Sequence, residues 1–234
     1  MHMWLAELIG TAILLYLGGA VVANMILDKT KGHGGGIVVI ALAWAVAVML
    51  PAMMFGEISG AHFNPALTLA LGITGGIAWG HVPGFMVAQL VGAMIGAALT
   101  WLHYRDHFDI TADPDAKLGV FATGPAIRRT SSNFISEFLG TFMLVFIILG
   151  LANQPFADGV NVFAVAALIM AIGMSLGGTT GYAINPARDL GPRIMYALLP
   201  IKDKRDPDWG YAWIPVVAPL CGGVVAALLA LAVF

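Results

Sequence analysis

Six long stretches of the chain carry no Asp, Glu, Lys or Arg: Leu8–Leu27, Gly34–Gly56, Ile58–Tyr104, Phe138–Ala157, Gly159–Ala187 and Trp209–Phe234. A helix rising 1.5 Å per residue needs about 20 apolar residues to cross a hydrocarbon core about 30 Å thick. Five of the stretches suit one span each, with several residues to spare in Gly159–Ala187. Ile58–Tyr104, at 47 residues, is too long for one span and suits one span plus a half-length helix. Charged and glycine-rich segments separate them: Asp28–Gly36, Arg105–Asn133, Asn153–Gly159 and Ile201–Asp208. The longest, Arg105–Asn133, carries Asp-Pro, Gly-Pro and four basic residues. The pattern predicts an all-α polytopic membrane protein.

Composition agrees. Hydrophobic residues make up 59% and charged residues 10%, with mean hydropathy +0.88, against roughly 25% charged in soluble domains. The net charge of −2 carries no message about nucleic acid, and with no basic cluster interleaved with aromatics no nucleic-acid partner is expected. No basic region precedes the first apolar run and no small-residue cleavage site follows it, so it reads as a span and not a signal peptide. The single cysteine, Cys221, excludes an internal disulfide. No spacing among the histidines suggests a metal site, and no nucleophile–base pair suggests an enzyme, so no cofactor is expected.

The tripeptide Asn-Pro-Ala occurs twice, at Asn64-Pro65-Ala66 and Asn185-Pro186-Ala187, each inside an uncharged stretch. Proline suits the first turn of a helix and asparagine suits its N-cap, so each triplet predicts a helix that starts within the membrane. The chain is also duplicated. Ala6-Glu7-Leu8-Ile9-Gly10-Thr11 is echoed by Ser136-Glu137-Phe138-Leu139-Gly140-Thr141, and Gly60-Ala61-His62-Phe63-Asn64 by Gly181-Tyr182-Ala183-Ile184-Asn185. Residues 1–104 form a first three-span repeat with its half-helix after Asn64, 105–133 a connecting loop, and 134–234 a second repeat with its half-helix after Asn185. Three spans are an odd number, so the second repeat enters the membrane inverted and the two boxes meet near the midplane.

Helix N-termini carry about half a positive charge and unpaired N–H groups, so two facing N-termini repel cations and protons. Irregular backbone at membrane depth survives only where it is buried or lines water. The carbonyls of Gly60, Ala61 and His62, with those of Gly181, Tyr182 and Ala183, are therefore expected to form an acceptor ladder opposite an apolar wall. Such a track suits a polyol. The duplicated Glu7 and Glu137 are expected to hold the N–H groups of the two re-entrant stretches. Gly92-x-x-x-Gly96 and Gly173-x-x-x-Gly177 read as helix-packing signals.

The paired boxes, the duplicated Glu-x-x-Gly-Thr, Ser59-Gly60-Ala61-His62 and Arg188-Asp189 resemble the aquaporin/glycerol facilitator (major intrinsic protein) family, aquaglyceroporin branch. The resemblance runs from about Trp4 to the final helix. It implies a right-handed bundle of six transmembrane helices with two re-entrant half-helices, an inverted repeat, and a homotetramer in the plasma membrane, of the bacterial inner-membrane kind. It places the selectivity filter at Trp44, Gly173, Tyr182 and Arg188, with glycine standing where water-selective relatives tend to have histidine. The implied function is passive diffusion of glycerol and other small neutral solutes (water, dihydroxyacetone, urea, protonated lactic acid), with ions and protons excluded. A water-selective channel and a secondary transporter are the alternatives. Tyr182 departs from the phenylalanine of a typical glycerol facilitator, and its hydroxyl is expected to favour carbonyl-bearing solutes. The family orientation puts both termini inside, whereas all eleven Lys and Arg residues fall in or beside segments it places outside.

Overall fold

The computed structural model describes residues 2–234. In chain order the helices are α1 (Met3–Ile26), α2 (Gly36–Ser59), α3 (Pro65–Thr74), α4 (Val82–His103), α5 (Arg105–Ile110) and α6 (Pro114–Phe121). They continue as α7 (Thr130–Leu151), α8 (Val160–Leu176), α9 (Pro186–Leu198), α10 (Trp209–Ala212) and α11 (Ile214–Val233). Five are long and apolar enough to cross a membrane: α1, α2 and α7, with α4 and α11 counted together with the short turn before each. The apolar α8 is shorter, at 17 residues.

The two half-helices begin where the sequence predicts. Asn64 caps α3, its side chain accepting from the Ala66 N–H, and Pro65 stands in the first turn. Asn185 caps α9 and accepts from the N–H groups of Ala187 and Arg188, with Pro186 following. Each cap is preceded by an irregular stretch with the same backbone alternation. Gly60, Ala61 and Phe63 have φ of 82°, 50° and 48°; Gly181, Tyr182 and Ile184 have 82°, 40° and 44°. Left-handed backbone costs an L-residue about 1–2 kcal/mol, and for a β-branched residue such as Ile184 it is a genuine outlier. These conformations persist only because the surroundings over-determine them.

Packing repeats in the same way. α1 runs along α4 and α7 along α11. A Cβ on Gly92 would overlap the Leu8 carbonyl oxygen, and one on Gly222 would overlap the Phe138 carbonyl oxygen. Both crossings are thus backbone on backbone. α2 lies against α8, α3 packs on α11, and α9 packs on α4. Each half-helix is therefore braced by a long helix from the other half of the sequence. Gly173 sits at the crossing of α8 with α2, where a Cβ would stand 2.9 Å from Ala41 Cβ, and the ring of Tyr182 covers both Gly173 and Gly177.

The segment 105–133 is more ordered than a connecting loop. It holds α5 and α6, and the Asp-Pro doublet starts α6: Asp113 accepts from the Asp115 N–H and Pro114 occupies the first turn. The stretch after α6 runs back over the second re-entrant segment, where the Ala126 N–H bonds the Thr179 carbonyl at 3.0 Å.

Candidate functional site

The site is built around two carboxylates that sit wholly buried in α1 and α7. Glu7 Oε1 accepts from Ser59 Oγ at 2.7 Å and the His62 N–H at 3.0 Å; its Oε2 accepts from the Phe63 N–H at 2.8 Å and Gln89 Nε2 at 2.7 Å. Glu137 repeats the pattern on the other half. Its Oε1 accepts from Thr180 Oγ1 at 2.7 Å and the Ala183 N–H at 3.0 Å, and its Oε2 from the Ile184 N–H at 2.9 Å. An unpaired N–H in hydrocarbon costs several kcal/mol, so one carboxylate per half satisfies the donors that the irregular stretch exposes. The glycine three residues on completes each seat. A Cβ on Gly10 would overlap the Phe63 ring, and one on Gly140 would come within 3.0 Å of Ile184 Cγ2. The Glu-x-x-Gly spacing places acid and gap on one helix face.

The two halves then lock together at the boxes. Asn64 Nδ2 donates to the Ile184 carbonyl at 2.8 Å, and Asn185 Nδ2 donates to the Phe63 carbonyl at 2.8 Å. Each side-chain oxygen caps its own helix, so each amide keeps one N–H for another acceptor. Beside this pair runs a narrow cavity of about 70 Å³. It is lined by Asn64, Asn185, His62 and the residues 61–63 and 182–184 of the two irregular stretches, together with apolar side chains that include Val48, Leu144, Ile148, Val165 and Ile169. No carboxylate lies among the described residues that line it.

Trp44, Tyr182 and Arg188 also line the cavity. The Arg188 guanidinium carbon sits 4.4 Å above the centroid of the Trp44 ring, and Nη1 lies 3.5 Å from the Phe121 carbonyl oxygen. Trp44 owes its position to Gly18 on α1, where a Cβ would stand 2.5 Å from the indole.

Several expected residues sit elsewhere. Gly173 does not touch the cavity; it lies behind Tyr182, and a Cβ there would stand 3.0 Å from Tyr182 Cζ and 2.9 Å from Ala41 Cβ. Gly60 and Gly181 are not among the residues that line it, whereas Phe63 and Ile184 are. The Tyr182 hydroxyl is buried with no hydrogen-bond partner, 3.1 Å from that Gly173 position. The expectation from the sequence was that it donates to a passing solute; here it meets no acceptor among the described residues. Gln89 was missed in the sequence. Its Nε2 bridges Glu7 and Thr68 Oγ1, and the clue was a lone amide inside an apolar span. The buried Asp189–Arg193 pair, at 2.8 Å, was visible only as an i, i+4 spacing.

Comparison with known proteins agrees with this geometry. The family model described as major intrinsic protein matches residues 1–230. The chain is 49% identical over 229 residues to a probable glycerol uptake facilitator protein of Thermotoga maritima, covering 98% of each chain. It is 50% identical over 222 residues to a glycerol uptake facilitator protein of Streptococcus pneumoniae, covering 95% of each. Among solved structures it resembles the aquaglyceroporin from Plasmodium falciparum, with TM-score 0.83 and 28% identity, covering 96% of this chain and 93% of that one.

Proposed function

Since the chain belongs to the major intrinsic protein family, we propose that it is a passive channel for glycerol and other small neutral solutes, and not an enzyme. It is a multi-pass protein of the plasma membrane. The observation that carries this reading is the meeting of two capped helix N-termini beside one narrow cavity. Each N-terminus brings about half a positive charge. A cation would meet that potential with no lining carboxylate to offset it, and half-helix ends exclude protons in the same way. A neutral hydroxyl instead finds the free amide N–H of each asparagine and the backbone carbonyls alongside.

At the mouth we assign the selectivity filter to Trp44, Tyr182 and Arg188, with Gly173 acting from behind by letting the tyrosine ring lie back against α8. Two aromatic faces suit the carbon edge of a polyol, and a guanidinium suits its hydroxyl edge. The same seat disfavours a water-selective pore, because glycine at position 173 adds no side chain beside Tyr182. The lack of a lining carboxylate disfavours an ion-coupled transporter. Residues 1–104 and 134–234 are read as inverted repeats joined by 105–133, in a homotetramer within lipid. The test is solute flux into proteoliposomes: glycerol flux that rises linearly with gradient supports a channel, and saturation or uphill accumulation overturns it.

A further inference from the structure

Thr123 stands outside the cavity, in the extended stretch after α6, yet three parts of the mouth meet on it. Its N–H and hydroxyl both donate to Asp189 Oδ2, at 2.8 and 2.7 Å. Its carbonyl accepts from Arg193 Nη2 at 2.9 Å, and Arg193 Nε closes the ring on Asp189 Oδ1 at 2.8 Å. Its Cβ and Cγ2 lie 3.3 Å from where a Cβ on Gly181 would stand. Asp189 follows Arg188 and Gly181 precedes Tyr182, so the threonine grips the neighbours of two filter residues. Phe121, two residues earlier, supplies the carbonyl that faces Arg188 Nη1. A guanidinium has five N–H donors, and among the described residues this carbonyl is the acceptor its side chain finds. The direction of Arg188 therefore depends on a stretch that Thr123 pins down.

We propose that Thr123 is a positioning residue for the filter: it holds the 121–123 backbone on Asp189 and Arg193, and so sets how far the Arg188 guanidinium reaches into the pore. This rests on the assignment of Arg188 and Tyr182 to the filter. Thr123→Val keeps the shape and the backbone N–H but removes the hydroxyl donor; Thr123→Ser restores the donor.

The experiment measures glycerol and erythritol permeability in proteoliposomes for the wild type, T123V, T123S, R188A and the T123V/R188A double variant. T123V is expected to raise the erythritol-to-glycerol ratio about fivefold, the scale of one hydrogen bond expressed at a barrier. T123S should keep the wild-type ratio. In the R188A background T123V should add nothing, because residues acting through one another are not additive. An unchanged ratio in T123V, or the same change in both backgrounds, overturns the role. If T123V does not assemble, Thr123→Cys, with a weakly donating thiol, takes its place under the same criteria. A wild type that passes no glycerol would instead overturn the channel reading.

Discussion

Gly173 and Tyr182 act as one unit, since the ring of the second occupies the space that the first leaves open. Gly173→His would drive an imidazole into Tyr182 Cζ and Ala41 Cβ, pushing the phenol ring towards the cavity. Glycerol flux in that variant should fall at least tenfold, which is about 1.4 kcal/mol at the barrier, while water flux is largely kept; swelling assays in water and in glycerol read both. Tyr182→Phe should leave the ratio of dihydroxyacetone to glycerol unchanged, because the hydroxyl it removes is buried and unpaired. It should also raise thermal stability by up to about 1 kcal/mol, since an unmet buried donor is a cost. A shifted ratio would mean that the hydroxyl swings into the pore. At this scale the sequence was informative wherever one residue type admits one job, as with Asn-Pro at a helix start or a lone glutamate in a span. It could not show which way a tyrosine hydroxyl turns. That direction depends on the space left by Gly173, which precedes it by nine residues.

Helices α1 and α7 carry the scaffold. Each presents an acid to the irregular stretch of its own half and a backbone face to a neighbouring helix. Gly92→Ala should destabilise the protein by about 3 kcal/mol, the upper end of overpacking, because its methyl group meets a carbonyl oxygen of α1 and not a mobile side chain. Gly222→Ala should do the same against α7; unfolding midpoints of the purified variants in detergent check both. The apolar runs made the long helices legible, and the Asn-Pro boxes made α3 and α9 legible. Helices α5 and α6 were not, because they are short and polar and owe their order to neighbours. Phe108 and Phe121 are buried against each other, with ring centroids 5.6 Å apart, and Phe121 also meets Tyr196 of α9 at 5.4 Å. Nothing periodic in that segment announces those contacts. Lys204 is another such case, since it turns back to donate to the carbonyls of Tyr196, Ala197 and Leu199 and so closes the end of α9.

For the whole molecule, charge and architecture pull in opposite directions. All Lys and Arg residues lie at positions 29–31, 105–129 and 188–205, and none falls in the α7–α8 connection, where Asp158 stands. The basic-residue bias alone would put the Lys- and Arg-bearing segments in the cytoplasm, whereas the channel reading puts them outside. Cysteines placed at Lys31 and at Asp158 in a chain lacking Cys221 should react with an impermeant maleimide from the outside at the first position only. The reverse labelling would show that charge, and not family orientation, decides topology. The central claim is that two facing half-helix N-termini pass neutral solutes and reject charge. The most direct test is to record glycerol flux and membrane current on the same reconstituted protein under a proton gradient. The account predicts rapid, non-saturating glycerol flux with no current above that of protein-free bilayers. A glycerol-evoked current, or a proton leak that scales with the amount of protein, would contradict it.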